Sequence, residues 1–109
     1  MANTFKNKTF DGSSTLANSD MIPYTAPSST TTVVIGLTIA NTSTSQITVD
    51  IKLDASTNIF LAKNLPIPAG SSFEYMSGNK IILQAGHSIK IQSDTANSAD
   101  TCLSFMEIT

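Results

Sequence analysis

The sequence predicts an all-β domain: an antiparallel β-sandwich, immunoglobulin-like or jelly-roll, with an extended N-terminal arm. Three observations carry that expectation. Two long β-branched runs, Thr30 to Ala40 and Gln46 to Asp54, have the two-residue periodicity of strands. Shorter apolar runs then follow at regular intervals, each bounded by Gly, Pro, Asn or Ser, the spacing of a sandwich or barrel. Nowhere do eleven or more residues repeat at the helical period between capping residues, so almost no helix is expected.

Residues 1–29 read as an arm with edge-strand segments, and residues 30–109 as the sandwich itself. The arm is polar from Asn3 to Asp20 and carries two prolines around Tyr24. Phe5, Phe10, Leu16, Met21, Ile22 and Tyr24 give it more apolar anchors than a free tail needs. Partial docking is therefore expected, with a neighbouring subunit as one place to dock, since an arm can add a strand to a neighbour's sheet edge.

In the run from Thr30 to Ala40, strict alternation puts Val33, Ile35, Leu37 and Ile39 on one face. Val34, Gly36, Thr38 and Ala40 fall on the other, which is small and semi-apolar. From Gln46 to Asp54, Ile47, Val49, Ile51 and Leu53 alternate with Thr48, Asp50, Lys52 and Asp54, the pattern of a strand buried on one side. The polar connection Asn41 to Ser45 has hairpin length, so the two runs are expected to pair.

Shorter strands are expected at Ile59 to Ala62, Ser72 to Met76, Lys80 to Gln84, Ser88 to Gln92 and Thr101 to Ile108. Pro66 and Pro68 cannot both serve a central ladder, so Leu65 to Gly70 should cross between sheets or run along an edge. Gly78-Asn79 and Ala85-Gly86 read as hairpin corners. The segments Ala69-Gly70-Ser71-Ser72-Phe73 and Ala85-Gly86-His87-Ser88-Ile89 share an Ala-Gly-x-Ser-apolar pattern, expected from two similar turns that lead into strands.

In the last strand Leu103 and Phe105 face one way, and Cys102, Met106 and Ile108 the other. A strand apolar on both faces is either central in a sandwich or covered by another subunit. Phe5, Phe10 and Tyr24 of the arm, with Met106 and Ile108, are thus the candidate assembly contacts.

Composition narrows the function. Charged residues are only 13 % of the chain, and all six basic residues are lysines, scattered in sequence with Lys6 and Lys8 as the one close pair. Nucleic-acid binding relies on clustered Lys and Arg, so no nucleic-acid partner is expected. No apolar stretch approaches membrane-spanning length, and Met1 to Phe10 lacks the apolar core of a signal peptide. We expect a soluble chain made in the cytoplasm, with no membrane partner.

Catalytic signals are sparse. His87, the one histidine, sits in a turn, and no orienting acid or oxyanion hole is marked near it. Cys102 reads as a small buried hydrophobe. Asp94, Asn97 and Asp100 offer oxygens in one loop but too few for a Ca²⁺ site, and Asx residues commonly bond nearby backbone amides instead. Glu74 and Glu107 lie in separate strands and make no acid/base pair. No catalytic, metal or cofactor site is expected, and no cofactor.

Several segments resemble those of small virion structural proteins of tailed phages, of the kind carried by marine cyanophages and their relatives. The segments are Met1-Ala2-Asn3-Thr4-Phe5-Lys6-Asn7, Tyr24-Thr25-Ala26-Pro27-Ser28-Ser29, Pro66-Ile67-Pro68-Ala69-Gly70-Ser71-Ser72, Ser93-Asp94-Thr95-Ala96-Asn97-Ser98 and Leu103-Ser104-Phe105-Met106-Glu107-Ile108. The resemblance runs through nearly the whole chain but is a pattern of turns and strand ends. It implies a non-enzymatic β-sandwich located in the virion, a capsid decoration or cement protein on the lattice of the major capsid protein. The alternative is an accessory part of the neck, tail, baseplate or a fibre, and in either case a homo-oligomer is expected. His87 stands where such proteins often have an acidic residue, so no function carries over to that corner. A carbohydrate- or cell-surface-binding module is a further alternative, weakened by the absence of Trp and by only two tyrosines, Tyr24 and Tyr75.

Overall fold

A computed structural model describes residues 3–12, 17–75 and 80–109. Within them the chain forms strands and no α-helix: β1 (Asn3–Phe10), β2 (Asp20–Thr25), β3 (Thr31–Asn41), β4 (Ile47–Asp54), β5 (Asn58–Ile67), β6 (Ser72–Glu74), β7 (Ile81–Leu83), β8 (Ser88–Ser93) and β9 (Ala99–Ile108). One sheet has the order β1-β9-β3-β6, with β7 also on β3, and the other the order β2-β8-β4-β5. All pairings are antiparallel.

β6 pairs with Thr38 to Ala40 and β7 with Thr32 to Val34, so the two short strands share one edge position. The pairs β1·β9, β2·β8, β3·β6/β7 and β4·β5 nest inside one another along the chain. That nested winding, one long hairpin rolled into two sheets, is a jelly roll and distinguishes it from the immunoglobulin order.

The core lies between the sheets. Val34, Leu37, Ile39 and Leu103 from one sheet meet Ile47, Val49, Ile51, Ile67, Ile89 and Ile91 from the other, all fully buried. Each such side chain contributes about 1.5–3 kcal/mol relative to an exposed one, so the period-two apolar pattern is what drives the two sheets together.

Several expectations need correcting. β3 and β4 do not pair: they belong to opposite sheets, and residues 42–46 cross the sandwich. A short polar connection fits an arch as well as a hairpin, and here Asn41 fixes the arch. Its buried amide donates to the carbonyls of Ser45 (2.8 Å) and Ile67 (2.9 Å) and accepts from the Ser43 amide (2.9 Å).

The Ala85-Gly86 turn is likewise not a hairpin, because β7 and β8 lie in different sheets. Gly78-Asn79 falls outside the described residues. Strict alternation also fails in β3. A β-bulge between Val34 and Gly36 inserts Ile35 opposite Ser104, so Val34 points inward before it and Leu37 and Ile39 after it, while Ile35 is exposed.

Other readings hold. Pro66 sits in the edge strand β5, and residues 68–71 then cross to the other sheet. The two Ala-Gly segments are the same device. In each, the residue after Gly bonds back three positions, Ser71 to Pro68 (3.2 Å) and His87 to Gln84 (2.9 Å), and the glycine takes a positive φ, 69° at Gly70 and 85° at Gly86. β9 is central, between β1 and β3.

The segments expected as an arm supply the sheet edges. β1 pairs along its whole length with β9, and β2 pairs with β8, carrying Met21 and Tyr24 into the core.

Candidate interaction surface

A sheet can associate through its edges or its faces, and the edges of this sandwich are guarded. β1 has Lys6 and Lys8 flanking its midpoint. An antiparallel copy centred on Asn7 would set Lys6 against Lys8, and like charges opposed across strands repel. β2 carries Pro23 within an irregular register. β5 carries Pro66, Lys63 and two register shifts, and the edge opposite β1 is broken into the three-residue strands β6 and β7. Prolines, bulges, charges and short strands each discourage strand addition.

The two outer faces differ sharply. On the β2-β8-β4-β5 sheet Lys52 bonds Asp20 (3.0 Å) and Gln92 (3.0 Å), Lys90 pairs with Asp54 (2.9 Å), and Lys63 pairs with Asp50 (3.6 Å). The Lys63 ammonium also lies 4.5 Å from the centre of the Phe60 ring. This sheet neutralises its own charges, with Ile59 and Phe60 of β5 about half exposed beside them.

The outer face of the other sheet carries an apolar row. In register across four strands lie Phe5, Met106, Val33 and Ile82. The ends stand out most, Phe5 at 73 % and Ile82 at 51 % exposure, with Met106 and Val33 half-buried between them. The next row is Asn7, Ser104 and Gly36, with Ile35 beside it, and the row after that is Thr9, Cys102, Thr38 and Glu74. Lys6, Lys8 and Glu107 alternate to the opposite face, while Asp100 of β9 lies on this one, beyond the Cys102 row. Glu74 is engaged at the rim, accepting from the Leu37 amide (3.0 Å) and the Thr38 hydroxyl (2.6 Å).

The five candidate contact residues separate accordingly. Phe5, Met106 and Ile108 come together on this outer face, Ile108 half-buried between Asn3 and Thr31. Phe10 is half-buried against the core, and Tyr24 is inside it, 8 % exposed. The Tyr24 ring packs on Phe105 with centroids 4.2 Å apart. Its hydroxyl donates to Glu107 (2.5 Å) and lies 2.8 Å from the Thr32 hydroxyl. Tyr24 is thereby committed to its own domain's core.

Glu107 completes that buried cluster through Lys6 at 2.8 Å. Its carboxyl is held below its ordinary value by the Lys6 ammonium first and the Tyr24 hydroxyl second, against the opposing effect of burial. Burial, reinforced by the carboxylate, pushes Tyr24 up to about 12. The cluster ties β1, β2, β3 and β9 at one end of the sandwich.

Cys102 is exposed, which overturns its reading as a buried residue. It lies on the outer side of β9, while Thr101 and Leu103 point inward. His87 is half-buried, its Nδ1 accepting from the Gln84 amide (3.3 Å) and its carbonyl from the Ala26 amide (2.9 Å). Asp94 accepts from the Thr48 amide (3.1 Å) and the Thr95 hydroxyl (2.9 Å). Desolvation of Asp94 raises its pKa, but these bonds outweigh it and hold the carboxyl below its usual value. Asp100 accepts from the Gly12 amide (2.8 Å). Among the described residues no three His, Cys, Asp or Glu side chains gather as a metal site would need. Among them, too, no helix is long and apolar enough to cross a membrane.

No protein-family model matches the chain, and a search of curated proteins finds no match.

Proposed function

We propose that this protein is a non-enzymatic structural component of a tailed-phage virion, a capsid decoration or cement protein that adds to the lattice of the major capsid protein. The observation that supports the reading is the contrast between the two outer faces. One is a lattice of paired charges around Phe60, and the other is crossed by the apolar Phe5, Met106, Val33 and Ile82 row, with Glu74 and Asp100 toward one end. A monomer in water gains nothing from that row, whereas a subunit in an assembly covers it. The jelly-roll winding is shared by viral capsid domains and by lectins, so the fold is an analogy that agrees with the reading without carrying it.

The test is the stoichiometry of the chain in purified virions by quantitative mass spectrometry, with its position found by labelling intact particles. Hundreds of copies on the head is the expected result. About a dozen copies on the neck, tail or baseplate would move the protein to a symmetric ring there, and absence from the particle would refute a virion role.

A further inference from the structure

We infer that the cleft on the outer face of the β2-β8-β4-β5 sheet binds one ring of a neutral saccharide, with Phe60 and Ile59 as its apolar lining and two lysine-aspartate pairs as its polar lining. The inference stands on the size of the cleft, its balance of charge and the spacing of its donors and acceptors.

Strand register builds the cleft. Lys52 of β4 lies between Phe60 of β5 and Lys90 of β8, and two residues on, Asp54 lies opposite Asn58. Asp20 joins from β2, opposite Gln92. With Ile59 these side chains line a volume of about 170 Å³. A cavity of about 150 Å³ accommodates benzene, so the cleft takes one six-membered ring.

The charges cancel within the cleft. Lys52 bonds Asp20 at 3.0 Å and Lys90 bonds Asp54 at 2.9 Å, two cations against two anions. A charged ligand therefore gains no net counter-charge there, whereas a polyol gains hydrogen bonds. An ammonium has three donors and a carboxylate accepts at both oxygens, so each pair keeps bonding capacity beyond its own contact. The separation of nitrogen and oxygen in each pair is close to that between neighbouring hydroxyl oxygens on a sugar ring. One hydroxyl accepts from the ammonium while its neighbour donates to the carboxylate, and the exposed Asn58 carboxamide adds a further donor and acceptor. Hydrogen bonds to charged groups are the stronger kind. Because each lysine is already held by its aspartate, less side-chain freedom is lost on binding.

The apolar lining completes the match. Phe60 and Ile59 are 50 % and 48 % exposed beside these charges. The weakly positive C–H face of a sugar ring packs against the negative face of an aromatic ring. The Lys63 and Lys52 ammoniums, 4.5 Å and 5.5 Å from the ring centre, hold Phe60 beside the cleft. A single sugar unit in an open cleft of this size has an expected Kd on the order of 1 mM. The cleft lies on the opposite side of the sandwich from the Phe5, Met106, Val33 and Ile82 row, so a subunit held in a particle through that row turns the cleft outward, where many copies raise avidity. Only this outward presentation rests on the proposed role, and the binding itself belongs to the isolated chain.

Heteronuclear NMR titration of the isotope-labelled full-length protein tests the inference. The probes are the methyl glycosides of glucose, galactose, mannose and N-acetylglucosamine, each to about 50 mM, with N-acetylneuraminic acid as the anionic comparison. At least one neutral glycoside is expected to give saturable shifts centred on Lys52, Asp54, Asn58, Phe60 and Lys90. Phe60→Ala and Asp54→Asn should each weaken that binding at least fivefold while the resonances of the other sheet keep their positions, and Ile82→Ser, on the opposite face, should bind as wild type does. No saturable shift with any of the four glycosides, shifts centred away from the cleft, tighter binding of the anionic sugar, or undiminished binding by both cleft variants overturns the inference. Virion stoichiometry judges the structural role separately: sugar binding by a chain absent from virions would refute the role and leave the site standing, and abundance on capsids without sugar binding would do the reverse.

Discussion

Replacing Tyr24 by Phe removes one oxygen and keeps the ring that packs on Phe105 at 4.2 Å. The loss leaves Glu107, 7 % exposed, without a 2.5 Å hydrogen bond, and Thr32, fully buried, without its 2.8 Å partner. A hydrogen bond to a charged group contributes about 1.5–3 kcal/mol, so Tyr24→Phe should cost about 2 kcal/mol at pH 7, or roughly 10 °C in Tm for a domain near this size. Lys6→Ala should cost less, under about 1 kcal/mol, because its half-exposed ammonium loses only an ion pair at the rim.

The pH dependence follows from the lowered pKa of Glu107. A carboxyl with a folded value below its unfolded one stabilises the fold fully above the unfolded value, about 4.3. That contribution is lost as pH falls through the lower folded value. The Tyr24→Phe penalty should therefore be largest near neutrality and shrink below about pH 4. Urea unfolding followed by far-ultraviolet circular dichroism at pH 7 and pH 3 measures both. A penalty below about 0.5 kcal/mol at pH 7, or one that does not shrink in acid, would refute the account of the cluster.

The glycines should separate by cause. Gly12→Ala would place a Cβ 1.7 Å from the Ala99 carbonyl oxygen, so thermal unfolding should find it severely destabilised. Gly70→Ala and Gly86→Ala meet no atoms but force a positive φ, costing about 1–2 kcal/mol each. Gly36→Ala makes only ordinary contact with Ser104 at 3.5 Å and should change stability by less than about 0.5 kcal/mol. Thr101→Val should stabilise the fold by about 1 kcal/mol, because the Thr101 hydroxyl is buried with no hydrogen-bond partner among the described residues, and chemical denaturation would register an unchanged or lowered midpoint if that reading were wrong.

The strands were legible because burial on one side of a sheet writes a two-residue period into the chain, as Ile47, Val49 and Ile51 do in β4. The paired Ala-Gly turns were legible because only glycine takes their positive φ cheaply. What sequence could not supply was the sheet assignment. Asn41 to Ser45 has the length of a hairpin, and only the buried amide of Asn41, bonded to Ile67 from another strand, makes it an arch. The same limit hid the interaction surface. Phe5 and Met106 stand out in the sequence as candidate contacts, but Val33 and Ile82 join them only through the registers of four strands distant in sequence. The bulge at Ile35 reversed the inward phase of β3, and local alternation carried no sign of it. Cys102 was misread because β9 is central in its sheet yet has one outer face.

The most direct test of the central idea, that the sheet face bearing the Phe5, Met106, Val33 and Ile82 row is covered in the assembled particle, uses the one thiol of the chain. Cys102 is exposed in the isolated subunit and lies on that face. Maleimide labelling of intact virions, compared with the same virions dissociated in denaturant, should leave Cys102 unmodified in the particle and fully modified after dissociation. Equal labelling in the intact particle would contradict the account, because the face would then be open to solvent where it is expected to be closed.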